Sequence, residues 1–151
     1  GTVGGQVTVA PESRNIIPGR VDFTVDMRHP DADTLAKMDE ALRAVCQEVA
    51  QEIGLDLSLE QISYTAPVTF DANCVSAVKN ACEMLDVSHQ VITSGAGHDA
   101  CYVANIVPTS MLFAPCKDGI SHHESESAKQ DDLEAVCNVL LHAVLDYAGA
   151  Q

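Results

Sequence analysis

The sequence predicts two architectures in succession. A partial α+β module, an antiparallel sheet covered on one face by a helix, occupies residues 1–66, and a portion of an α/β domain occupies residues 67–151. Three observations predict this. "RVDFTVDMRH" alternates apolar and polar residues with a period of two, the mark of a half-buried strand, and a long apolar pattern at three- and four-residue steps follows it. The pattern changes near Tyr64–Pro67. Beyond that point helical stretches alternate with short apolar runs of the kind buried on both faces of a parallel or mixed sheet.

Each element has its own signal. Thr2 to Ala10 carries Val3, Val7 and Val9 and reads as extended chain, and "PESRNIIPGR" is a loop with Pro18-Gly19 as turn chemistry. Val21, Phe23, Val25 and Met27 form the apolar face of the next strand, opposite Asp22, Thr24, Asp26 and Arg28. A helix is expected from about Asp33 to Ile53, with Leu35, Met38, Leu42, Val45, Val49 and Ile53 on one stripe and Gly54 as the stop. "LDLSLEQISY" alternates again and predicts a further strand. In the second half Asp71 caps a helix whose stripe is Val75, Val78, Cys82 and Leu85. "HQVITSG" predicts a short strand, His98 to Asn105 a brief helix, and "VPTSMLFAP" a strand buried on both faces. "CKDGISHHESES" is a polar loop, and a last helix from about Asp131 to Tyr147 is expected to bury Leu133, Val136, Leu140, Val144 and Tyr147.

Composition narrows the partners. Twenty-two acidic against eight basic residues give a formal charge of −14, which argues against nucleic acid or an anionic membrane surface, since both need clustered Lys and Arg. An anionic small substrate stays open, because one Arg inside a pocket outweighs the distant surface field. No apolar run approaches the roughly 20 residues that cross a bilayer, and no secretory pattern opens the chain. Cys46, Cys74, Cys82, Cys101, Cys116 and Cys137 are widely spaced with no CxxC pair, so they are expected to be reduced, buried and inert in a cytoplasmic protein. "GTVGGQVTVAP" has no Met and reads at once as strand, as though the chain were entered mid-fold.

Two junctions concentrate the chemistry: "TSGAGHDA" and "APCKDGISHHESE". Ligands of open α/β sheets gather where such loops converge beyond strand ends. Gly95 and Gly97 let backbone N–H groups approach a ligand, and Asp99 is placed to fix the tautomer of a nearby histidine; the same residues also read as a glycine turn with a surface His-Asp pair. His122, His123 and Glu126 resemble metal-ligand chemistry. Neighbours in an extended loop point oppositely, so at most one of the two histidines faces a given site, with Glu126 as ligand or outer partner. A metal centre takes three or four protein ligands, more than this loop offers. Arg28 reads either as the partner of Asp26 and Asp22 or as a guanidinium fork for a carboxylate, and Asn15 as a turn former or a substrate contact. His29, His89 and His142 are isolated and read as structural.

Taken in order, "NIIPG", "DMRHPD", "SGAGHDA" and "GISHHESE" resemble the amidase, hydantoinase/carbamoylase branch of the dinuclear metallohydrolases related to aminoacylases and di-zinc carboxypeptidases. "SGAGHDA" paired with "GISH" is the more specific part, since related peptidases usually lack that histidine after the glycines. The resemblance implies an α/β catalytic domain carrying two divalent ions (Mn, Zn, Co or Ni) and an inserted α+β lid that mediates a homodimer. Residues 1–66 then resemble a partial lid and residues 67–151 the C-terminal part of the catalytic domain. It implies His122 as a metal ligand with Glu126 supporting its loop, Asn15 and Arg28 as the lid's grip on a substrate carboxylate, and Gly97 with His98 as the pair that meets the carbamoyl end, His98 stabilising the developing oxyanion. The family's N-terminal half, which carries an HxD motif, a Glu-Glu pair and a further ligand His, and the early part of the lid with the histidine that serves the partner subunit, are expected to have no counterpart in this sequence, and "RHPD" reads as the end of a strand and the entry to a helix.

The implied activity is that of the N-carbamoyl-L-amino-acid hydrolase and allantoate amidohydrolase type: hydrolysis of a ureido C–N bond by metal-activated water, with the general base in the missing portion. The fragment alone is expected to be inactive. Two rivals stand beside this reading: a non-catalytic dimerisation module whose motifs are passengers, and a related aminoacylase or peptidase.

Overall fold

Four short strands and one long helix make up the first half of the chain. They are β1 (Thr2–Gly4), β2 (Val7–Ala10), β3 (Arg20–Phe23), β4 (Asp26–Arg28) and α1 (Ala32–Ile53). The computed structural model describes residues 2–149, so Gly1, Ala150 and Gln151, the outer ends of the two expected domains, lie outside it. The chain divides into two compact units, Gly1–Pro67 and Val68–Gln151.

In the first unit, β2 runs antiparallel to β3 with Val7 opposite Phe23 and Ala10 opposite Arg20, and β1 runs antiparallel to β4 with Gly4 opposite Asp26. The two expected strands therefore each exist as two pieces. Gly5 explains the break: a Cβ there would lie 1.9 Å from the Thr24 carbonyl oxygen, so only glycine permits this close crossing. The Thr24 N–H donates to the Gln6 carbonyl at 2.9 Å and the Gln6 N–H to Thr24 Oγ1 at 3.1 Å, which satisfies the backbone through the break.

Helix α1 starts at Ala32 because Asp31 caps it, its carboxylate accepting from the Thr34 N–H at 2.8 Å. It ends where Gly54 takes a left-handed φ of 71° and the Leu55 N–H returns to the Ala50 carbonyl. Its apolar stripe is covered only in part. Leu35, Met38 and Leu42 are half-buried, Val45, Val49 and Ile53 are exposed, and Ala50 alone is buried. The cause is length: 22 helical residues extend about 33 Å, whereas the three residues of β4, which α1 packs against, extend about 10 Å. The strand expected in "LDLSLEQISY" does not form, and Ile62 is 82% exposed. Alternation supplies a face, but a strand needs a partner to complete its ladder.

The second unit contains α2 (Ala72–Met84), α3 (Ala100–Val103), a 3-10 turn at Lys117–Gly119 and α4 (Gln130–Gly149). Ala77, Ala81 and Cys82 of α2 pack on Val139 and Ala143 of α4, with Val78, Leu85, Val87 and Leu112 around them. The predicted stripe of α4 is corrected here: Leu140 and Val144 are 49% and 55% exposed, and Val139 and Ala143 form the packed face instead. The apolar arc of α4, opposite the polar stripe of Glu134, Asn138, His142 and Asp146, is wide, so its period did not choose which part of that arc packs. "HQVITSG" and "VPTSMLFAP" form no ladder among the described residues, although Thr109 to Leu112 is half-buried and the Thr109 carbonyl accepts from the Asp71 N–H at 3.0 Å. The expected parallel or mixed sheet is therefore absent among the described residues. Among the described residues no helix is long and apolar enough to cross a membrane. The six cysteines are free, but only Cys82 is buried, Cys137 is exposed and the other four are intermediate, because most of the apolar faces that carry them are only partly covered.

Asp71 carries a pH-dependent share of this unit's stability. Its carboxylate accepts from the Cys74 and Asn73 N–H groups at 2.9 Å each. The Cys74 backbone bond, chiefly, holds its pKa below the ordinary carboxylate value. A depressed folded-state pKa stabilises above the unfolded value of about 3.9, and the contribution is lost as pH falls through the folded one. Asp71→Ala is expected to lower the melting temperature by a few degrees at pH 7, with the gap to wild type closing below about pH 4 in thermal melts.

Candidate functional site

The predicted site residues fall on both units: Asn15 and Arg28 in the first, Gly97, His98, His122 and Glu126 in the second. Arg28 ends β4, opposite Thr2 in the ladder, and its guanidinium bonds the Asp26 carboxylate two residues back on the same strand face. The guanidinium's hydrogen bonds hold the Asp26 carboxyl below its ordinary pKa. Half of the Arg28 side chain is exposed, so this pair is a solvated one and contributes little to stability. Asp22, the other expected partner, is bonded by Arg20. Asn15 lies in the loop between β2 and β3, whose base is closed by the Gly19 N–H to the Ala10 carbonyl at 3.0 Å. The Ser13 hydroxyl donates to Asn15 Oδ1 at 2.7 Å.

In the second unit, the turn at Ser94 to Ala96 is held by the Ala96 N–H on Ser94 Oγ, at 3.3 Å. A Cβ on Gly97 would meet no atom within 4 Å, and no positive φ demands glycine there. The chain itself therefore leaves the space beside this backbone open. Gly97→Ala is expected to leave the melting temperature of the full-length protein unchanged or slightly raised, because alanine restricts the unfolded chain. If a ligand meets this backbone, the same change lowers turnover, and thermal melts beside kinetics separate the two effects.

His98 has a defined proton. The Ala100 N–H donates to His98 Nδ1 at 3.0 Å, so in the neutral ring the proton resides on Nε2, which becomes a donor. Local backbone, not the Asp99 carboxylate, thus sets this tautomer. The ring stands just before α3, whose first turn takes up the His98 carbonyl through the Cys101 N–H at 3.0 Å.

The loop from Cys116 to Ser127 is pinned at its base by the Lys117 N–H on the Ser127 carbonyl at 2.7 Å. At its tip His122 has a left-handed φ of 58°. That conformation costs an ordinary residue on the order of 1–2 kcal/mol, and histidine is among the residues found there more often. Glu126 holds it in place: Oε2 accepts from the His122 N–H at 2.8 Å, while the Cys116 thiol donates weakly to Oε1 at 3.8 Å. Glu126 therefore acts on the backbone of His122 rather than on its ring. His123 is turned onto its own loop, with Nδ1 bonded to Ser125 Oγ at 2.8 Å. Neither ring nitrogen of His122 has a hydrogen-bond partner among the described residues. The two adjacent histidines are thus distinct, and His122 is the one with both nitrogens available.

Ser13 and Cys116 were not foreseen as partners. Their only signal was a polar side chain two residues from Asn15 and a thiol at the base of the "GISHHESE" loop. Among the described residues, no group of three or more His, Cys, Asp or Glu comes together. The residues present therefore do not make a metal site by themselves, since such a site takes three or four protein ligands and His122 offers one. A cleft of about 320 Å³ lined by Leu85, Val87, Asp131, Glu134, Ala135 and Asn138 contains none of the candidate residues.

Comparison with known proteins adds the family context. The family model described as peptidase family M20/M25/M40 matches residues 2–146. The chain is 43% identical over 150 residues to an N-carbamoyl-L-amino-acid amidohydrolase of Rhizobium meliloti, covering 98% of the chain and 36% of that protein. It is 36% identical over 133 residues to an allantoate amidohydrolase of Escherichia coli, covering 85% of the chain and 31% of that protein. A crystal structure of an amidase of the hydantoinase/carbamoylase family from Burkholderia multivorans superposes with a TM-score of 0.91 at 57% identity, covering 96% of the chain and 35% of that one. The chain spans about a third of the length of the curated relatives it matches.

Proposed function

The chain belongs to peptidase family M20/M25/M40, and from that membership we propose that it is part of a metal-dependent amidohydrolase that cleaves the ureido C–N bond of N-carbamoyl-L-amino acids or of an allantoate-like acid. The observation that carries this reading is His98, a ring whose proton is held on Nε2 by the Ala100 N–H beside an open glycine backbone at Gly97. A fixed N–H donor of that kind serves the oxygen that becomes negative as water adds to a carbamoyl carbon. Water adds, one C–N bond of the ureido group breaks as its nitrogen takes a proton, and the carbamic acid left over breaks the second C–N bond to release carbon dioxide. The products are ammonia, carbon dioxide and the amino acid, or a ureido acid from an allantoate-like substrate.

Each remaining residue has a task that its surroundings support. Arg28 and Asn15 grip the substrate carboxylate, a planar acceptor that suits the guanidinium fork and the amide N–H. Exchanging the exposed Asp26 for a substrate carboxylate is inexpensive, because the existing pair is solvated. His122 offers one imidazole to a divalent ion, and Glu126 keeps it facing outward by bonding its backbone N–H. On this reading the other ligands and the carboxylate base are carried elsewhere in the whole protein.

Assay of the full-length protein tests the reading. Ammonia release from N-carbamoyl-L-amino acids or allantoate is expected, with little cleavage of N-acetyl amino acids. Turnover confined to N-acetyl substrates would assign it to the aminoacylases instead. The 151-residue chain alone is expected to be inactive, and turnover by that chain would overturn the proposed division of ligands.

A further inference from the structure

We propose that Ser13 is a positioning residue for substrate recognition: its hydroxyl locks the Asn15 amide so that Nδ2, and not Oδ1, is presented to an anionic ligand. The inference rests on the reading of Asn15 as a carboxylate contact. An asparagine amide offers an acceptor on one side and two donors on the other, and a half-turn of the group exchanges them. A carboxylate only accepts. Asn15 can therefore hold one through Nδ2 alone, and with Oδ1 outward it would repel the ligand.

In the structure the Asn15 amide turns its oxygen to Ser13. Ser13 Oγ donates to Asn15 Oδ1 at 2.7 Å, which consumes the acceptor. Asn15 Nδ2 has no hydrogen-bond partner among the described residues. Ser13 is itself anchored, its N–H bonding the Pro11 carbonyl at 2.9 Å, and the loop base is closed between Gly19 and Ala10. A hydroxyl two residues upstream thus holds the amide in the one orientation suited to an acceptor-only group. The same lock discriminates. A ligand whose carboxylate is replaced by a primary amide brings donors of its own, for which this orientation supplies no acceptor.

Steady-state kinetics of the full-length protein test this, with an N-carbamoyl-L-amino acid and its carboxamide as substrates. Ser13→Ala is expected to raise KM for the carboxylate substrate by about three- to tenfold, the effect of one neutral hydrogen bond, with kcat changed less than about twofold. The preference for carboxylate over carboxamide should narrow by a similar factor. Ser13→Thr, which keeps the hydroxyl, should restore both quantities. Asn15→Ala should raise KM, and adding Ser13→Ala to it should have no further effect, because the hydroxyl works only through the amide. Unchanged KM in Ser13→Ala beside a raised KM in Asn15→Ala would overturn the role of Ser13 alone. Additive effects in the double variant, or failure of threonine to rescue, would do the same. If Asn15→Ala leaves KM unchanged, the carboxylate reading of Asn15 falls and the role of Ser13 falls with it.

Discussion

Replacing His98 by alanine in the full-length protein is expected to lower kcat by about 10²–10³-fold, with KM for an N-carbamoyl amino acid changed only a few-fold. The size follows from what the ring supplies. A donor aimed at an oxygen that becomes charged only in the transition state stabilises that state far more than the bound substrate. The Ala100 N–H on Nδ1 places the proton on Nε2 before any substrate arrives, so no tautomer change is needed during reaction. His98→Gln carries an N–H₂ group near the former Nε2 and should recover part of the loss. His98→Asn places its amide nearer the Nδ1 position and should recover less. Thermal melts should be nearly unchanged, because His98 is exposed. A kcat within twofold of wild type for His98→Ala would remove the oxyanion role.

His122→Ala is expected to reduce activity by more than about 100-fold and to lower the divalent metal retained by the purified full-length protein. Substitutions of groups that merely orient a ligand already cost about 10–100-fold, and loss of the ligand itself should cost more. The left-handed backbone complicates the alanine variant, since alanine is strained at a φ of 58°. His122→Asn controls for this: asparagine tolerates the conformation but does not replace the imidazole as a soft nitrogen ligand. Both variants should lose metal and activity together. His123→Ala should behave like wild type, because its ring is bonded within the loop to Ser125. Metal content by elemental analysis reads the effect independently of turnover. Full metal retention in His122→Asn would end the ligand assignment.

Helix ends were legible in the sequence where the capping residue stood out. Gly54 and Asp71 set their termini through bonds to residues at most four positions away, whereas the start of α1, expected near Asp33, is set by Asp31. The four-motif resemblance was legible too, and family membership accords with it. The "HQVITSG" and "VPTSMLFAP" runs read as strands because apolar, β-branched segments favour extended chain, yet no ladder forms without a neighbour to pair with. Adjacency left open whether Asp99 orients an imidazole or belongs to a surface turn; the bond that forms on the His98 ring comes from the Ala100 N–H.

By itself, the sequence determined the location of α1, α2 and α4, the acidic charge, and which residue types stand ready for chemistry. These are local properties, governed by capping, periodicity and side-chain type within a few residues. Only the tertiary structure decided that α4 packs through Val139 and Ala143, that Gly5 divides the first sheet, and that Glu126 secures the His122 backbone with Cys116 behind it. Those outcomes depend on which distant surfaces meet and which way an individual side chain turns. An apolar pattern identifies faces that can be buried, but the neighbour that arrives selects among them.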